Sequence, residues 1–556
     1  MRTRAIESNF SRSLGLVLLL AMACLPSTAQ NAASAGGGRY QIAGTVVNAA
    51  SGEPVRGATV AALSDEDSHR VAAVESGSDG HFAMEGLPAA RYQLTASKRG
   101  YTTAAYDEHE DFSSAVVTGE GQDTAHLVFR ILPGAVLRGV VTADGGDPVE
   151  GAEVMLFEKP QGHKPGGKIT QVDSTTTDDT GAYEFVNLAK GEYLLAVKAE
   201  PWYAMHHEGG GAHGRQSEGT NPVLDVAYPI TYFDSTTDEA SAALIVLAGG
   251  SREEANINLH AAPALHLAVQ TPRKEDGTII RPELRQTIFG AAVSTQSAGF
   301  MDSIQTGSTE FARVAPGHYQ LTQGDPPRVV DMDATTSQEV DPAAGTPAAP
   351  VNGTLQIATG VPLPGDPVVT LEPADGAQTQ KPMESSSSHG AFSFPPVPAG
   401  TWALKAEESG MQLQIVSIAG GGQTRPGNRF VVKDRPLSLV VTVNEGAVQV
   451  KGFVVRDGKG VAGVMVVLVP KDRAVFPGPA FPVLVRRDQS DTDGSFNLRN
   501  VVPGRYTVVA IEDGWVLDWS HADVIGRYLP GGIGVTVTAT TDKIVRLSAP
   551  VPVQQR

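Results

Sequence analysis

Cysteine is almost missing from this chain: Cys24 is the only one in 556 residues. A lone thiol excludes intramolecular disulfides, cysteine-built zinc fingers and iron–sulfur clusters. There is no Gly-x-Ser-x-Gly elbow and no cysteine placed to act as a nucleophile. Aromatic residues are few, at 6%, so any core has to be small and largely aliphatic. Basic charge is the third shortage, with 43 Lys and Arg against 61 Asp and Glu and a formal net charge of −18. A surface of that sign repels nucleic acid and anionic lipid, and it favours solubility.

Long apolar runs are confined to the N-terminus. Arg2, Arg4 and Arg12 precede the run LGLVLLLAMACL at residues 14–25, and Ser27, Thr28 and Ala29 follow it. A basic, an apolar and a small-residue region in that order read as a secretory signal peptide. Cleavage is expected after Ala29, leaving a cysteine-free mature chain. No membrane span is expected after cleavage, since the run is well short of the roughly 20 residues that cross a bilayer. Lipidation of Cys24 is the competing reading, although Ala21, Met22 and Ala23 before it make a poor lipobox.

Glycine and proline are abundant instead, 61 and 37 of them. That is turn punctuation around small cores, and it favours short strands over helices. At roughly 150 residues per domain the length suggests about four domains; the repeats suggest more. The segment DTDGSFNLRNVVPGRYTVVA, residues 491–510, spaces out Gly494, Phe496, Leu498, Val501, Gly504, Tyr506 and Val508, and similar residues recur at the same offsets four more times. They are Gly80, Phe82, Met84, Leu87, Ala90, Tyr92 and Leu94, then Gly181, Tyr183, Phe185, Leu188, Gly191, Tyr193 and Leu195. Next come Gly307, Thr309, Phe311, Val314, Gly317, Tyr319 and Leu321, and finally Gly390, Phe392, Phe394, Val397, Gly400, Trp402 and Leu404.

Alternation over the first positions puts apolar side chains on one face of a strand. A Pro-Gly or Ala-Gly step then reverses the chain, with glycine supplying a positive φ, and the Tyr resumes the same parity on the returning strand. The expectation is a β-hairpin with one buried face, with Trp402 as core in the Tyr position. An upstream element repeats as well. Gly44, Gly52, Pro54, Val55, Gly57 and Val60 return as Gly139, Gly146, Pro148, Val149, Gly151 and Val154, and in shorter form as Gly452, Gly460 and Gly463.

The combination of G-x-V…G-x-P-V-x-G-A-x-V with D-x-x-G-x-F-x-F-x-x-L-x-P-G-x-Y-x-L resembles the carboxypeptidase regulatory-like domain, a transthyretin-like β-sandwich also described as a carbohydrate-binding-like fold. The first, second and fifth copies fit best, while the third and fourth keep mainly the paired strands. The resemblance implies an all-β chain: a tandem array of five transthyretin-like or immunoglobulin-like Greek-key β-sandwiches with little helix, in an exported bacterial protein. It implies no peptidase, because the zinc peptidases that carry this domain bind metal through a His-x-x-Glu pair, and this sequence has none. Nor does the C-terminal half read as the barrel strands of a TonB-dependent receptor. Related Cna B-type domains form Lys–Asn crosslinks promoted by a Glu after the returning Tyr, where this chain has Ala96, Val197 and Ala510. The expected boundaries are a signal peptide at 1–29, a linker at 30–40, sandwiches at 41–132, 133–262, 263–340, 352–446 and 447–556, and an exposed hinge at 341–351, where DPAAGTPAAPV lacks alternation.

Residues able to carry chemistry are few. His206, His207, Glu208 and His213 make the best metal-ligand set, but their spacing is not that of a helix-borne site and three glycines would have to be ordered. The run DEHED at 107–111 reads as a solvated face. Asp491 and Asp493 lack the closing Glu of a calcium loop, and the third and fourth copies do without such acids, so they read as turn formers. Residues 162–168 imitate a phosphate loop but lack its Ser or Thr. Trp202, Tyr203, Trp515 and Trp519 fall in insertions after the returning strand, where flat rings can stack on sugars or pack beneath a loop. Ser520 is expected to cap a short helix that buries Trp519.

These features point to an exported, non-catalytic β-sandwich protein acting as a structural or binding array of the cell envelope, in the periplasm, on the outer surface or outside the cell. It would need no cofactor, and its partner would be an envelope protein or a polysaccharide. The alternatives are a carbohydrate-binding protein using the loop tryptophans, and a metal-binding protein or cryptic hydrolase using the His206 region.

Overall fold

The structure is a computed structural model that describes residues 38–65, 69–110, 112–160, 169–204, 223–271, 280–296, 307–357, 363, 366–374, 382–408, 411–444, 448–471, 484–538 and 543–556. The signal peptide with Cys24, the phosphate-loop lookalike at 162–168, and His206, His207, Glu208 and His213 lie outside the described residues.

The alternating segments form strands, and the strands form all-β sandwiches. In the first, Tyr40–Asn48 pairs antiparallel with His81–Leu87 and parallel with Leu127–Ile131. In the facing sheet, Thr59–Ser64 lies between Arg70–Glu75 and Arg91–Ser97. The same arrangement is built on Ala135–Thr142, Leu265–Gln270, Thr346–Ile357 and Val448–Arg456. Each of these lies antiparallel to the motif's first strand and parallel to a closing strand late in its own unit, so the last strand returns beside the first as in a Greek key. A glycine sits on the first strand where that return is close: a Cβ on Gly44 would stand 2.2 Å from the Leu127 carbonyl oxygen, and on Gly139 2.0 Å from that of Ala255.

The expected hairpin proves to be an arch. His81–Leu87 pairs with the first strand, whereas Arg91–Ser97 belongs to the facing sheet, and the corresponding strands pair in the same way in all five units, although in the last one Val551–Gln554 pairs with both Val448–Arg456 and Gly504–Ile511 and joins the two sheets. Inward parity on both strands suits either geometry, but in an arch the two apolar faces meet across the core. Phe82, Met84, Tyr92 and Leu94 therefore share one cluster. The glycine logic changes too. Gly191, Gly317 and Gly504 keep φ out of the left-handed region, and the positive φ falls instead at the motif's opening Gly80, Gly181, Gly307, Gly390 and Gly494, between 72° and 81°.

Each arch is pinned by one hydrogen bond. The hydroxyls of Tyr92, Tyr193, Tyr319 and Tyr506 donate to the carbonyls of Pro88, Ala189, Ala315 and Val502 at 3.1, 2.9, 2.9 and 2.8 Å. In the fourth unit Trp402 Nε1–H donates to Pro398 at 2.9 Å. Donor and acceptor are always four residues apart, as in the tyrosine corner of immunoglobulin-like sandwiches. Tryptophan can replace tyrosine because both carry a donor at the rim of a flat apolar ring.

Residues 341–351 are not an exposed hinge. Pro342–Ala344 makes one 3-10 turn capped by the Asp341 carboxylate, and the strand Thr346–Ile357 follows at once, with Ala348, Ala349 and Val351 fully buried. Its start pairs with the third sandwich through Val329 and Arg328, and the rest belongs to the fourth. Small residues suit this strand because it is enclosed at once by both units. The second and third sandwiches meet through Phe289, whose ring lies 4.9 Å from Tyr232 and 5.0 Å from Phe157, and through His266, held between Asp225 at 2.6 Å and Glu310 at 2.7 Å.

In the last sandwich Phe496, Leu498, Tyr506 and Val508 are buried together as expected. Phe496→Ala should destabilise this unit by about 3–5 kcal/mol, and Tyr506→Phe by about 1 kcal/mol through the lost corner bond. Urea unfolding followed by tryptophan fluorescence measures both. A Phe496→Ala effect below about 1 kcal/mol contradicts the packing.

Candidate docking site between the first and last sandwiches

Met465–Pro470 and, apart from Thr507, residues 506–511 of the strand Gly504–Ile511 are apolar at successive positions, not alternate ones, and both of their faces are buried. A strand pair of that kind needs cover on its outer side. The insertion after Gly504–Ile511 supplies it, with Trp515, Trp519 and Ile525 closing a second apolar cluster over Met465, Val467 and Val509. The short helix Ala522–Ile525 buries Trp519 as expected, but His521 is its cap residue, and the Ser520 hydroxyl donates to Asp518 instead.

Beside this cluster the first sandwich docks on the last. The loop that follows Arg91–Ser97 brings Asp107, His109, Glu110, Phe112 and Ser114 against Arg486–Gln489 and the turn after it. The backbones join where Thr492 N–H donates to Ala115 at 3.1 Å, and Ser114 Oγ donates to the Ser490 carbonyl at 2.9 Å. Gln489 Nε2 donates to Ser114 Oγ at 2.9 Å and to the Asp107 carbonyl at 2.5 Å. Ser114, Gln489, Ser490 and Asp491 are all buried.

Asp491 lies at the centre. Its Oδ1 accepts from Ala115 N–H at 2.8 Å, its Oδ2 accepts from Ser495 Oγ at 3.1 Å, and Arg91 of the first sandwich makes an ion pair with it while donating to Ser495 Oγ at 3.0 Å. The turn-former reading holds for its counterparts. Asp178 accepts from Thr180 and Ala182 of its own exposed turn, Asp79 from His81, and Asp493 from Ser495 N–H. It fails for Asp491, whose carboxylate is 2% exposed and turned to another unit.

Arg487 is the second anchor. It pairs with Glu110 at 2.8 Å, the two side chains being only 9% and 14% exposed, and its guanidinium lies 4.2 Å from the Trp519 ring centre and 5.1 Å from that of Phe112. A desolvated cation on an aromatic face contributes about 2 kcal/mol. The His109 ring stacks on Trp515 at 5.5 Å and 10°, with Nδ1 3.1 Å from Gln489 Oε1. Asp107, His109 and Glu110 of that run therefore meet the last sandwich, while Glu108 stays exposed and Asp111 lies outside the described residues.

The four aromatic residues that could stack on sugars or pack beneath a loop are not brought together. Trp515 and Trp519 are covered by His109, Phe112 and Arg487, whereas Trp202 is 89% exposed with Tyr203 edge-on at 5.8 Å in the second sandwich. Sequence reasoning missed Arg486–Gln489. Its signal was the pair of doubly apolar strands beside it, which announce a sheet covered on both faces.

Burial sets the electrostatics. It pushes Asp488 up to about 6 and Asp491 up to about 7, with Arg91 pulling both back and Asp488 pushing Asp491 further up. Asp488 also accepts from Asn497 N–H at 2.5 Å. Lys451 is lowered by burial and by the nearby Arg91, Arg546 and Arg499.

Among comparisons with known proteins, the family match agrees with the fold. Residues 41–130 and 136–205, within the first two sandwiches, match the family model of the carboxypeptidase regulatory-like domain. Colossin-A of Dictyostelium discoideum is 24% identical over 285 residues, which cover 45% of this chain and 2% of that protein's length. Among solved structures, the Bacillus anthracis TIE protein matches at 11% identity and a TM-score of 0.16, over 70% of this chain and 68% of that one. GBS52, the minor pilin of Streptococcus agalactiae, matches at 13% identity and a TM-score of 0.21, over 40% of this chain and 97% of that one. None of these likenesses bears on role.

Arg487→Ala leaves Glu110 buried and unpaired, so it should weaken docking by about 3–5 kcal/mol. Limited proteolysis reads this as new cleavage near residues 104–118, and an unchanged digest contradicts it. The pH dependence follows from the raised carboxyls. Asp488 and Asp491 hold protons in the docked chain at a pH where exposed carboxyls have lost them, so docking carries no ionisation cost below about pH 4, and the cost grows from there until the two groups themselves ionise at about 6 and about 7. His266 has the same sign: its pKa is raised by Asp225 and Glu310 against the opposing effect of burial, so its contribution is full below its ordinary value and lost as pH rises through the raised one. Thermal melts should show stability falling from about pH 4 to about pH 7, and Asp491→Asn should flatten part of the fall. Stability rising across that window contradicts the assignment.

Proposed function

We propose that this chain is an exported, non-catalytic structural or binding array of the cell envelope, and that it works in a closed form with its last sandwich docked on its first. One observation carries the proposal. The buried Asp491 and the half-buried pair Arg487 and Glu110 hold one sandwich to another. Buried charges that meet across an interface give orientation and register.

Closure suits an array. Sandwiches joined by free linkers present their outer surfaces at variable distances, whereas docked ends give those surfaces fixed relative directions. The docking surfaces share one chain, so each meets the other at a high effective concentration and a modest interface suffices. From the sugar-stacking expectation the proposal keeps only the exposed Trp202 with Tyr203.

Export is tested by the mature N-terminus. The protein recovered from fractionated cells should be in the envelope or medium and begin at Gln30. Recovery from the cytoplasm with residues 1–29 attached contradicts the proposal.

A further inference from the structure

One part of the fourth sandwich is opposite in sign to the net charge of the chain. Residues 411–443 contain Arg425, Arg429, Lys433 and Arg435 with Asp434 as the single acid, in a protein of net charge −18. Three of these cations line one cleft of about 670 Å³. The cleft opens between free sheet edges: Gln423–Pro426 ends one sheet of the sandwich, and Arg429–Val432 borders the other. Arg425 comes from the first edge, Lys433 and Arg435 follow the second, and Gln423 with Gly420 and Gly421 complete the polar wall.

None of the three cations has a carboxylate partner among the described residues. Arg425 Nη2 donates to Gln423 Oε1 at 3.1 Å, which orients its guanidinium beside the cleft. Like charges gathered in a concave site repel one another and focus a positive potential there, and an anion removes that cost. Guanidinium forks match the planar or tetrahedral oxygens of carboxylate and sulfate.

The surroundings select among anions. Nucleic acid fits poorly: Phe430, the aromatic residue of the cleft, is 4% exposed and offers no stacking face for bases. Its dense phosphates would also meet the acidic remainder of the chain. An added peptide strand is opposed by Arg425 and Pro426 on the short edge Gln423–Pro426. A polar chain with widely spaced oxyanions meets neither obstacle. We propose that this cleft binds an oxyanion-bearing saccharide, a uronate or a sulfated sugar, through Arg425, Lys433 and Arg435. The proposal rests on this cleft alone and is independent of the docking of the first sandwich on the last.

The test is calorimetric titration of the full-length chain with a galacturonate hexasaccharide, its methyl-esterified neutral form, a sulfated hexasaccharide and single-stranded DNA. Binding of either charged saccharide and not the neutral one is expected, and the two charged arms distinguish carboxylate from sulfate. The triple variant Arg425→Gln, Lys433→Gln, Arg435→Gln should lower that affinity by about tenfold or more. All three side chains are exposed, so the variant should fold; an unchanged melting temperature verifies this, and single Arg425→Glu serves if it does not hold. Binding of no charged saccharide, equal binding of the neutral form, affinity unchanged in the variants, or DNA bound as tightly would each overturn the proposal.

Discussion

A carboxylate taken out of water has to be met by donors, and the donors that meet Asp491 come from both ends of the chain. Ser495 stands in its own unit, whereas Ala115 and Arg91 stand in the first sandwich. If the first sandwich were moved away, Asp491 would regain water and lose two of these partners. The same holds for Arg487, whose partner Glu110 lies 377 residues earlier in the chain. The arrangement of the outermost units follows from this need to pair buried charge.

The intervening chain helps the ends to meet. The arch in each unit is set by inward parity and pinned by a corner bond. The third and fourth units share the strand Thr346–Ile357, and the second and third interlock through Phe289 and the doubly held His266. Each such junction removes freedom that closure would otherwise have to remove, so the entropic cost of bringing distant residues together is smaller than for a flexible chain. Rising pH acts in one direction on two of these contacts, because the Asp491 carboxyl and the His266 imidazole both hold protons above their ordinary range.

Much of the core was legible. The alternating positions of all five copies are buried, and Trp402 stands where a tyrosine stands elsewhere, because spacing fixes which side of a strand a residue faces. The destination of a strand was not legible in the same way. A hairpin and an arch place identical parities on flanking strands, so the pattern around Gly494 and Tyr506 did not distinguish them. Residues 341–351 were misread because alanine and proline suit a linker and a tightly enclosed strand equally. Asp491 was misread for a third reason: its partner Ala115 is 376 positions away, and no local pattern records it. Its counterparts Asp79 and Asp178 do cap their own turns, so the comparison that gave the right role twice gave the wrong one here.

The docking of the ends is measured most directly as a distance. Spin labels at the exposed Gln122 of the first sandwich and Lys459 of the last, in a chain with Cys24 replaced by serine, report it by pulsed electron paramagnetic resonance. The account predicts one narrow distance distribution that broadens when Arg91→Glu removes the ion pair with Asp491. A distribution that is broad in the wild-type chain and indifferent to Arg91→Glu would contradict it.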